Sequence, residues 1–263
     1  AKRWHGAGRR HAGAVGVVAL DAVRVDGALA QQSVVVVDVE IAAVAGEQLL
    51  DPGHLGVVFG DVRLDVDAWV FAREGAQVLC VDRHEARAAQ TVDAIAAEGG
   101  VAFAHRADIT DPDACAGLVA AARERWGRID VLVNDVGIGG GGDGPAHRLE
   151  EKAWDRIVGV NLKAMWLTIR AAIPPMREQG GGGAIVNISS LASVAGHDQV
   201  AYEVSKAGVN RLTTAVASAN ARFGIRCNAI LPGFMDTPMA VEGIARATGQ
   251  PVQAVRDARN ARV

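Results

Sequence analysis

The chain has 263 residues, half of them apolar, and a formal charge of −3, enough for one sizeable core or at most two small domains. So mild a charge points away from nucleic acid and from an acidic surface partner. No run of eighteen apolar residues argues for a membrane span, and the seven His show no metal-ligand spacing. Cys80, Cys115 and Cys227 are odd in number and widely spaced, and read as reduced packing thiols of a cytoplasmic protein.

The N-terminal stretch is the least regular. Lys2, Arg3, Arg9 and Arg10 precede the apolar run from Ala12 to Leu20, and Ala28-Leu29-Ala30 has the form of a signal-peptidase site. Asp21, Arg24 and Asp26 fall between the two and argue against a signal peptide. Gly6, Gly8 and Gly13 form a glycine cluster without a preceding strand, and Ser33 to Val44 is strongly strand-like.

From residue 76 onward strand-like and helix-like segments alternate. The pattern predicts a strand over 77–82 and an Ala-rich helix over 85–98, ended by Gly99-Gly100. A strand over 101–105 follows, then a helix from Pro112 to Trp126 capped by Asp111. Ile129 to Asn134 reads as an apolar strand, and Gly137 to Gly144 as a flexible loop. A long helix is expected over 151–177, kinked or shortened by Pro174-Pro175. After it come a buried strand around Ile185, a helix containing Tyr202 and running to about Phe223, and a strand over 225–231. Repeated βα units of this length predict an α/β fold, a doubly wound parallel sheet with helices on both faces in three α/β/α layers.

Two local features carry chemistry. Tyr202, the only tyrosine, is followed four residues later by Lys206, so on a helix phenol and ammonium share a face. A neighbouring cation favours phenolate, which suits a general acid/base at an alcohol or ketone oxygen; the alternative is an exposed helix carrying both by chance. Ser189 and Ser190 stand at the carboxyl end of the Ile185 strand, where ligands of open α/β sheets bind. Their hydroxyls either address a substrate carbonyl or merely cap the next turn. Gly137, Gly139 and Gly142 satisfy G-x-G-x-x-G but lead into Asp143-Gly144-Pro145 rather than a helix, which weakens a phosphate role.

Six ordered motifs over residues 71 to 263 resemble the short-chain dehydrogenases/reductases. Phe71 to Ala76 and Val78 to Arg83 are similar to the end of that family's first helix and its second strand. Ala107-Asp108-Ile109-Thr110-Asp111 is similar to its adenine-side turn, and Asn134-Asp135-Val136-Gly137 stands where it usually has Asn-Asn-Ala-Gly. Val160-Asn161-Leu162 resembles the segment holding its helix Asn, and Leu231-Pro232-Gly233-Phe234-Met235-Asp236-Thr237 the one that meets the nicotinamide. The resemblance implies a Rossmann-like single domain interconverting a small secondary alcohol and a ketone, using NAD in preference to NADP. It implies Tyr202 as general acid/base, Lys206 lowering its pKa and holding the ribose, Ser190 (or Ser189) polarising the carbonyl, and Asn161 binding a relay water. The bland alternative for Asn161 is a helix-interior side chain satisfying a backbone group.

The same resemblance implies that Asp82 binds the adenosine ribose and repels a 2′-phosphate, with Arg83 beside it able to receive one. It implies adenine contacts at Asp108 and Ile109, Asp108 being equally legible as a turn residue. Ribose contacts follow for Asn134 and Gly137, and nicotinamide contacts for Pro232, Gly233 and Thr237. Val136 is expected to crowd the cofactor where the family has a small residue. A homo-oligomer paired through helices 151–177 and 200–223 is implied as well.

Two departures accompany the resemblance. The family's Thr-Gly-x-x-x-Gly-x-Gly turn falls near residues 57–64, where the chain has one glycine, Gly60, followed by Asp61, a charge unfavourable to phosphate. Residues 1–50 are therefore expected to be an atypical leader, and 51–263 an incomplete domain that stops before the family's last helix and strand. A frameshift or wrong start would explain the leader, which the encoding DNA would reveal. A second functional expectation stands beside the first: a non-catalytic member that no longer binds dinucleotide productively.

Overall fold

The computed structural model describes residues 17–19, 23–25, 28–30, 33–35, 55–60, 66–196, 198–233 and 241–260. Four short strands come first, β1 (Val17–Ala19), β2 (Val23–Val25), β3 (Ala28–Ala30) and β4 (Ser33–Val35), followed by β5 (Leu55–Gly60) and α1 (Val66–Arg73). Then follow β6 (Gln77–Asp82), α2 (Glu85–Ala97), β7 (Val101–Arg106), α3 (Pro112–Trp126) and β8 (Val131–Asp135). Beyond these lie α4 (Glu151–Val158), α5 (Ala164–Glu178), β9 (Gly183–Ile188), α6 (Val200–Asn220), β10 (Ile225–Ile230), α7 (Glu242–Thr248) and α8 (Val252–Asn260).

Six strands run parallel in the order β7-β6-β5-β8-β9-β10. Successive strands move outward from β5 to one edge and from β8 to the other, so the order reverses between β5 and β8. That switch point opens a crevice at the carboxyl ends of the strands, the usual ligand position of such sheets. β4 adds in parallel to β10 through Ala229↔Val34 and Ile230↔Val35, and β1 adds antiparallel to β4.

Strand alternation decides which side chain meets which helix layer. Leu79, Val81, Leu132, Ile185 and Cys227 face α3, α5 and α6, together with Leu118, Ile169 and Met176. Val78, Cys80, Val131, Val133 and Ala184 face the opposite layer, where Ala68 and Phe71 of α1 and Ala88 and Ile95 of α2 meet them. Fully burying each large aliphatic chain stabilises the fold by roughly 1.5–3 kcal/mol, so the sheet is held from both sides. The three cysteines are buried and form no disulfide.

Helix α3 begins at Pro112, with the Asp111 carboxylate accepting from Asp113 N at 2.9 Å, and ends on Gly127 in the left-handed region at φ 79°. Three boundaries differ from expectation. β8 starts at Val131 because the backbone of Ile129 is taken by a side-chain amide: Ile129 N donates to Gln179 Oε1 at 3.0 Å and Gln179 Nε2 donates to Ile129 O at 2.7 Å. Pro174 and Pro175 neither end nor shorten the long helix, which runs to Glu178 with Pro175 and Met176 buried. The irregularity lies earlier, in a π turn at Gly159–Lys163 between α4 and α5 that contains Asn161. The Tyr202 helix closes at Asn220, and residues 221–223 form a tighter turn ended by Gly224 at φ 71°.

Candidate active site

Ser190, Tyr202 and Lys206 meet at the carboxyl ends of β8, β9 and β10. Ser190 lies two residues beyond β9 at the head of a short 3-10 turn, where its Oγ accepts from Ala192 N at 3.2 Å. Its side chain also faces the Tyr202 phenol closely enough to hold the phenol's pKa down. Capping and facing the phenol are therefore both true of Ser190. Ser189 is committed elsewhere: its hydroxyl is buried and donates to Lys206 O at 2.9 Å, tying strand to helix.

Tyr202 and Lys206 stand one turn apart near the start of α6. The Lys206 ammonium lies 5.9 Å from the phenol ring centroid and donates to Ile188 O at 2.7 Å. Only 3% of Lys206 is exposed. A Cβ at position 137 would stand 3.2 Å from Lys206 Nζ, so Gly137 leaves the ammonium its room.

Burial pushes the Tyr202 phenol up, the Ser190 hydroxyl works against that, and the Asp135 carboxylate adds to it. Lys206 is brought down to about 8 by burial, with Asp135 opposing. The expectation that Lys206 lowers the Tyr202 pKa is thus corrected: desolvation dominates at the phenol, and the charged neighbour acting on it is Asp135. Below about 8 Lys206 carries its charge at the cost of burial. It binds its proton less tightly folded than unfolded, so its contribution to stability grows as pH rises from about 8 toward the ordinary lysine value of 10.5.

Asn161 is fully buried, and its amide reads the backbone of the loop after β8. Ile138 N donates to its Oδ1 at 2.8 Å, while its Nδ2 donates to Ile138 O at 2.9 Å and to Ser205 Oγ at 3.0 Å. The side chain satisfies backbone groups, so any water held at this position would be held by other atoms.

Asn134 requires a correction of the same kind. Thr168 Oγ1 donates to its Oδ1 at 2.7 Å and its Nδ2 donates to Asn187 Oδ1 at 2.8 Å, while Asn187 Nδ2 continues to Thr213 Oγ1 at 3.0 Å. This fully buried chain joins α5, β8, β9 and α6 and leaves the Asn134 side chain no reach toward a cofactor ribose. Its only trace in the sequence is an Asn inside each of two apolar strands.

The loop 137–144 is not the flexible segment its glycines suggest. Besides the Asn161 clasp, Arg156 Nη2 donates to Gly140 O at 2.7 Å and Gly141 O at 3.2 Å, and Glu150 N donates to Gly142 O at 3.1 Å. Asp143 joins it to α6. Arg156, Asp143 and Asp135 carried no spacing signal that marked them in advance.

The far end of the crevice is built from local turns. Asp82 closes β6, and its Oδ1 accepts from His84 N at 2.6 Å. Arg83 is exposed, its Nε donates to His84 Nε2 at 3.1 Å, and its carbonyl accepts from Arg106 Nε at 3.3 Å. Asp108 is the turn residue its alternative described, accepting from Thr110 N at 3.0 Å and Thr110 Oγ1 at 2.7 Å; these bonds hold its carboxyl below the usual range. The Ile109 side chain is buried in the core beside Cys115, so only its backbone is open to an adenine. Pro232 O accepts from Leu191 N at 2.9 Å, stitching the segment after β10 to the turn after Ser190, and Gly233 is exposed. Thr237 and Asp61 lie outside the described residues.

These residues fit a dinucleotide laid across the switch point. Gly137 keeps a Cβ out of the space beside Lys206 at one end, and a carboxylate closes the second strand at the other. Among the described residues, no helix is long and apolar enough to cross a membrane.

Residues 68–261 match the family model described as enoyl-(acyl carrier protein) reductase. The L-rhamnose 1-dehydrogenase (NAD(P)(+)) of Azotobacter vinelandii is 40% identical over 182 residues, 66% of this chain and 69% of that protein. The 3beta-hydroxysteroid dehydrogenase of Mediterraneibacter gnavus is 40% identical over 169 residues, 64% of this chain and 60% of that protein. A short-chain type dehydrogenase/reductase from Mycobacterium marinum superposes with a TM-score of 0.71 at 30% identity, covering 76% of this chain and 80% of that one. The chain thus spans about three fifths to seven tenths of the two curated relatives' lengths. With six parallel strands in the doubly wound order and the Ser-Tyr-Lys cluster at their carboxyl ends, the chain belongs to the short-chain dehydrogenase/reductase family of oxidoreductases.

Proposed function

We propose that this protein interconverts a small secondary alcohol and a ketone, with Tyr202 as the general acid/base. The observation that carries this reading is the convergence of the Ser190 hydroxyl, the Tyr202 phenol and the Lys206 ammonium beside the β5/β8 crevice. A bound nicotinamide dinucleotide supplies the hydride acceptor or donor. Ser190 holds the substrate oxygen against the phenol, and Tyr202 gives that oxygen a proton in reduction and takes it in oxidation. Lys206, anchored on Ile188 O, keeps a positive charge behind the phenol and reaches the nicotinamide ribose past Gly137.

Asp82 favours NAD over NADP because its carboxylate repels a 2′-phosphate. Residues 51–263 are read as one domain and 1–50 as an atypical leader, two of whose strands, β4 and β1, add to the sheet beside β10. Trp166 of α5 and Val204 of α6, 44% and 45% exposed, support a homo-oligomer paired through helices 151–177 and 200–223. The three buried thiols suit a cytoplasmic setting.

Tyr202→Phe tests the reading: alcohol-dependent NADH formation should vanish while the thermal midpoint holds, and unchanged turnover refutes the role. A second reading, a member that has lost productive dinucleotide binding, is favoured by one observation: β5 ends in a single glycine followed in sequence by Asp61. Calorimetric titration with NAD separates the two. Binding in the micromolar range supports the enzyme, and none at millimolar cofactor supports the second reading.

A further inference from the structure

Helix α6 does not cap itself. Its N-cap residue, Gln199, makes no side-chain cap bond, yet the amides that such a cap would satisfy are all taken. Ala201 N donates to Asp143 Oδ1 at 3.0 Å and Tyr202 N donates to Asp143 Oδ2 at 3.0 Å. Val200 N donates to Gly144 O at 3.2 Å, and Gln199 N is satisfied by Glu203 Oε1 at 3.0 Å. The second and third amides of a helix are those an Asp or Ser at the N-cap would bind. Here a carboxylate from a loop fifty-eight residues upstream of Ala201 binds both, its charge set against the positive end of the helix.

The third of these amides belongs to Tyr202 itself. The loop that delivers Asp143 is fixed at its other points by Asn161 and Arg156, and a Cβ at Gly139 would stand 3.6 Å from Tyr202 Cδ2. Gly140, Gly141 and Gly142 adopt φ of 67°, 59° and 93°, so the backbone follows a path open chiefly to glycine. Loop, helix start and phenol therefore form one unit, in which, among the described residues, Asp143 is the side chain of the loop that binds the α6 amides.

We propose that Asp143 is a positioning residue for the proton-transfer step, a cap supplied from outside the helix that couples the glycine loop to the station of Tyr202. This rests on the reading of Tyr202 as the acid/base, but its first test does not need turnover. Tyr202 is the only tyrosine, so tyrosinate absorbance reports this site alone. The charged groups facing the phenol are Asp135 and Lys206, while the Asp143 carboxylate sits on the Tyr202 amide.

In Asp143→Ala the phenol should leave its buried station and its titration midpoint fall, with kcat down about 10²-fold, as for a comparable misplacement of a reacting group, and the KM for NAD little changed. Asp143→Asn removes the charge but keeps an acceptor for one amide, and its midpoint should stay near that of the unmodified protein. Asp143→Ala/Gln199→Asp restores a local cap: the thermal midpoint should recover, while the tyrosine midpoint and kcat should not. The proposal is overturned if the Asn variant moves the midpoint as far as the Ala variant, which would make charge alone responsible. It is equally overturned if the double variant restores kcat and the tyrosine midpoint along with stability, which would reduce Asp143 to a helix cap. Should neither Ala-containing variant fold, hydrogen exchange in the unmodified protein decides: Ala201 and Tyr202 amides exchanging as fast as free first-turn amides would sink the tie. A protein without turnover but with the expected tyrosine shifts would fail the acid/base reading and leave the positioning of Tyr202 standing.

Discussion

The two ends of the crevice are built by opposite means. At the proton-transfer end the bonds that hold Asn134, Asn161, Asp143 and Lys206 join residues far apart in the chain: Asn134 to Asn187, Asn161 to Ile138, Asp143 to Tyr202, Lys206 to Ile188. Its groups are buried, as Lys206, Asn161 and Asn134 are, or half-buried, as Ser190 and Tyr202 are. At the adenosine end the two carboxylates close over two residues, Asp82 with His84 and Asp108 with Thr110, and are exposed or half-buried. In the proposed reaction one end would orient reacting atoms and gain from rigidity. The other would hold a ribose and base, for which exposed turn residues suffice.

The sharpest way to break this contrast is at the phenol. Tyr202→Phe should lower kcat by about 10²–10⁴-fold, the usual worth of a positioned acid/base, with no change in the denaturation midpoint; a loss of less than tenfold would remove the reason for calling this end preorganised. Next comes the buried amide chain. Asn134→Ala should destabilise the protein by about 2–4 kcal/mol in urea unfolding, since it opens a cavity and strips partners from Thr168 and Asn187. A cost under about 1 kcal/mol would mean that the chain is not what holds α5 and α6 to the sheet.

The adenosine end should answer differently. Asp82→Ala is expected to raise the KM for NAD by about tenfold, the loss of one good hydrogen-bonded contact, with kcat unchanged. Equal losses in kcat would show that the two ends are coupled. The smallest effect tests the electrostatics between them. Asp135 raises both the Tyr202 phenol and the Lys206 ammonium, so Asp135→Asn should lower both. Alcohol oxidation needs the unprotonated phenol, so the rising limb of its pH–rate profile should move to lower pH. A limb that stays or moves upward contradicts the sign.

What was legible in the sequence follows the same division. The βα alternation, the Asp111 cap and the i,i+4 pair of Tyr202 and Lys206 are written within a few residues, and each appears where that spacing puts it. The turn at Asp108, which its alternative reading described, is likewise written within two residues. Misreadings occur where distant segments meet. Asn134 looked like a ribose contact because nothing nearby in sequence shows Thr168 and Asn187 closing on it. The six glycines of 137–144 looked flexible because the groups that fasten the loop, Arg156, Asn161 and the start of α6, lie well downstream. Ile129 looked like strand because its apolarity was visible and the Gln179 amide that takes its backbone was not.

By itself, then, the sequence determined the α/β architecture and the family and singled out Ser190, Tyr202 and Lys206 as the proposed proton-transfer residues, all of which rest on periodicity, ordered motifs and short-range spacing. Only the tertiary structure decided how those residues are held. It turned Ser190 rather than Ser189 toward the phenol, sealed Lys206 against Ile188, and brought Asp135 and Asp143 to Tyr202. These outcomes depend on which strand ends and helix starts share one crevice, and desolvation there, more than the neighbouring lysine, governs the phenol.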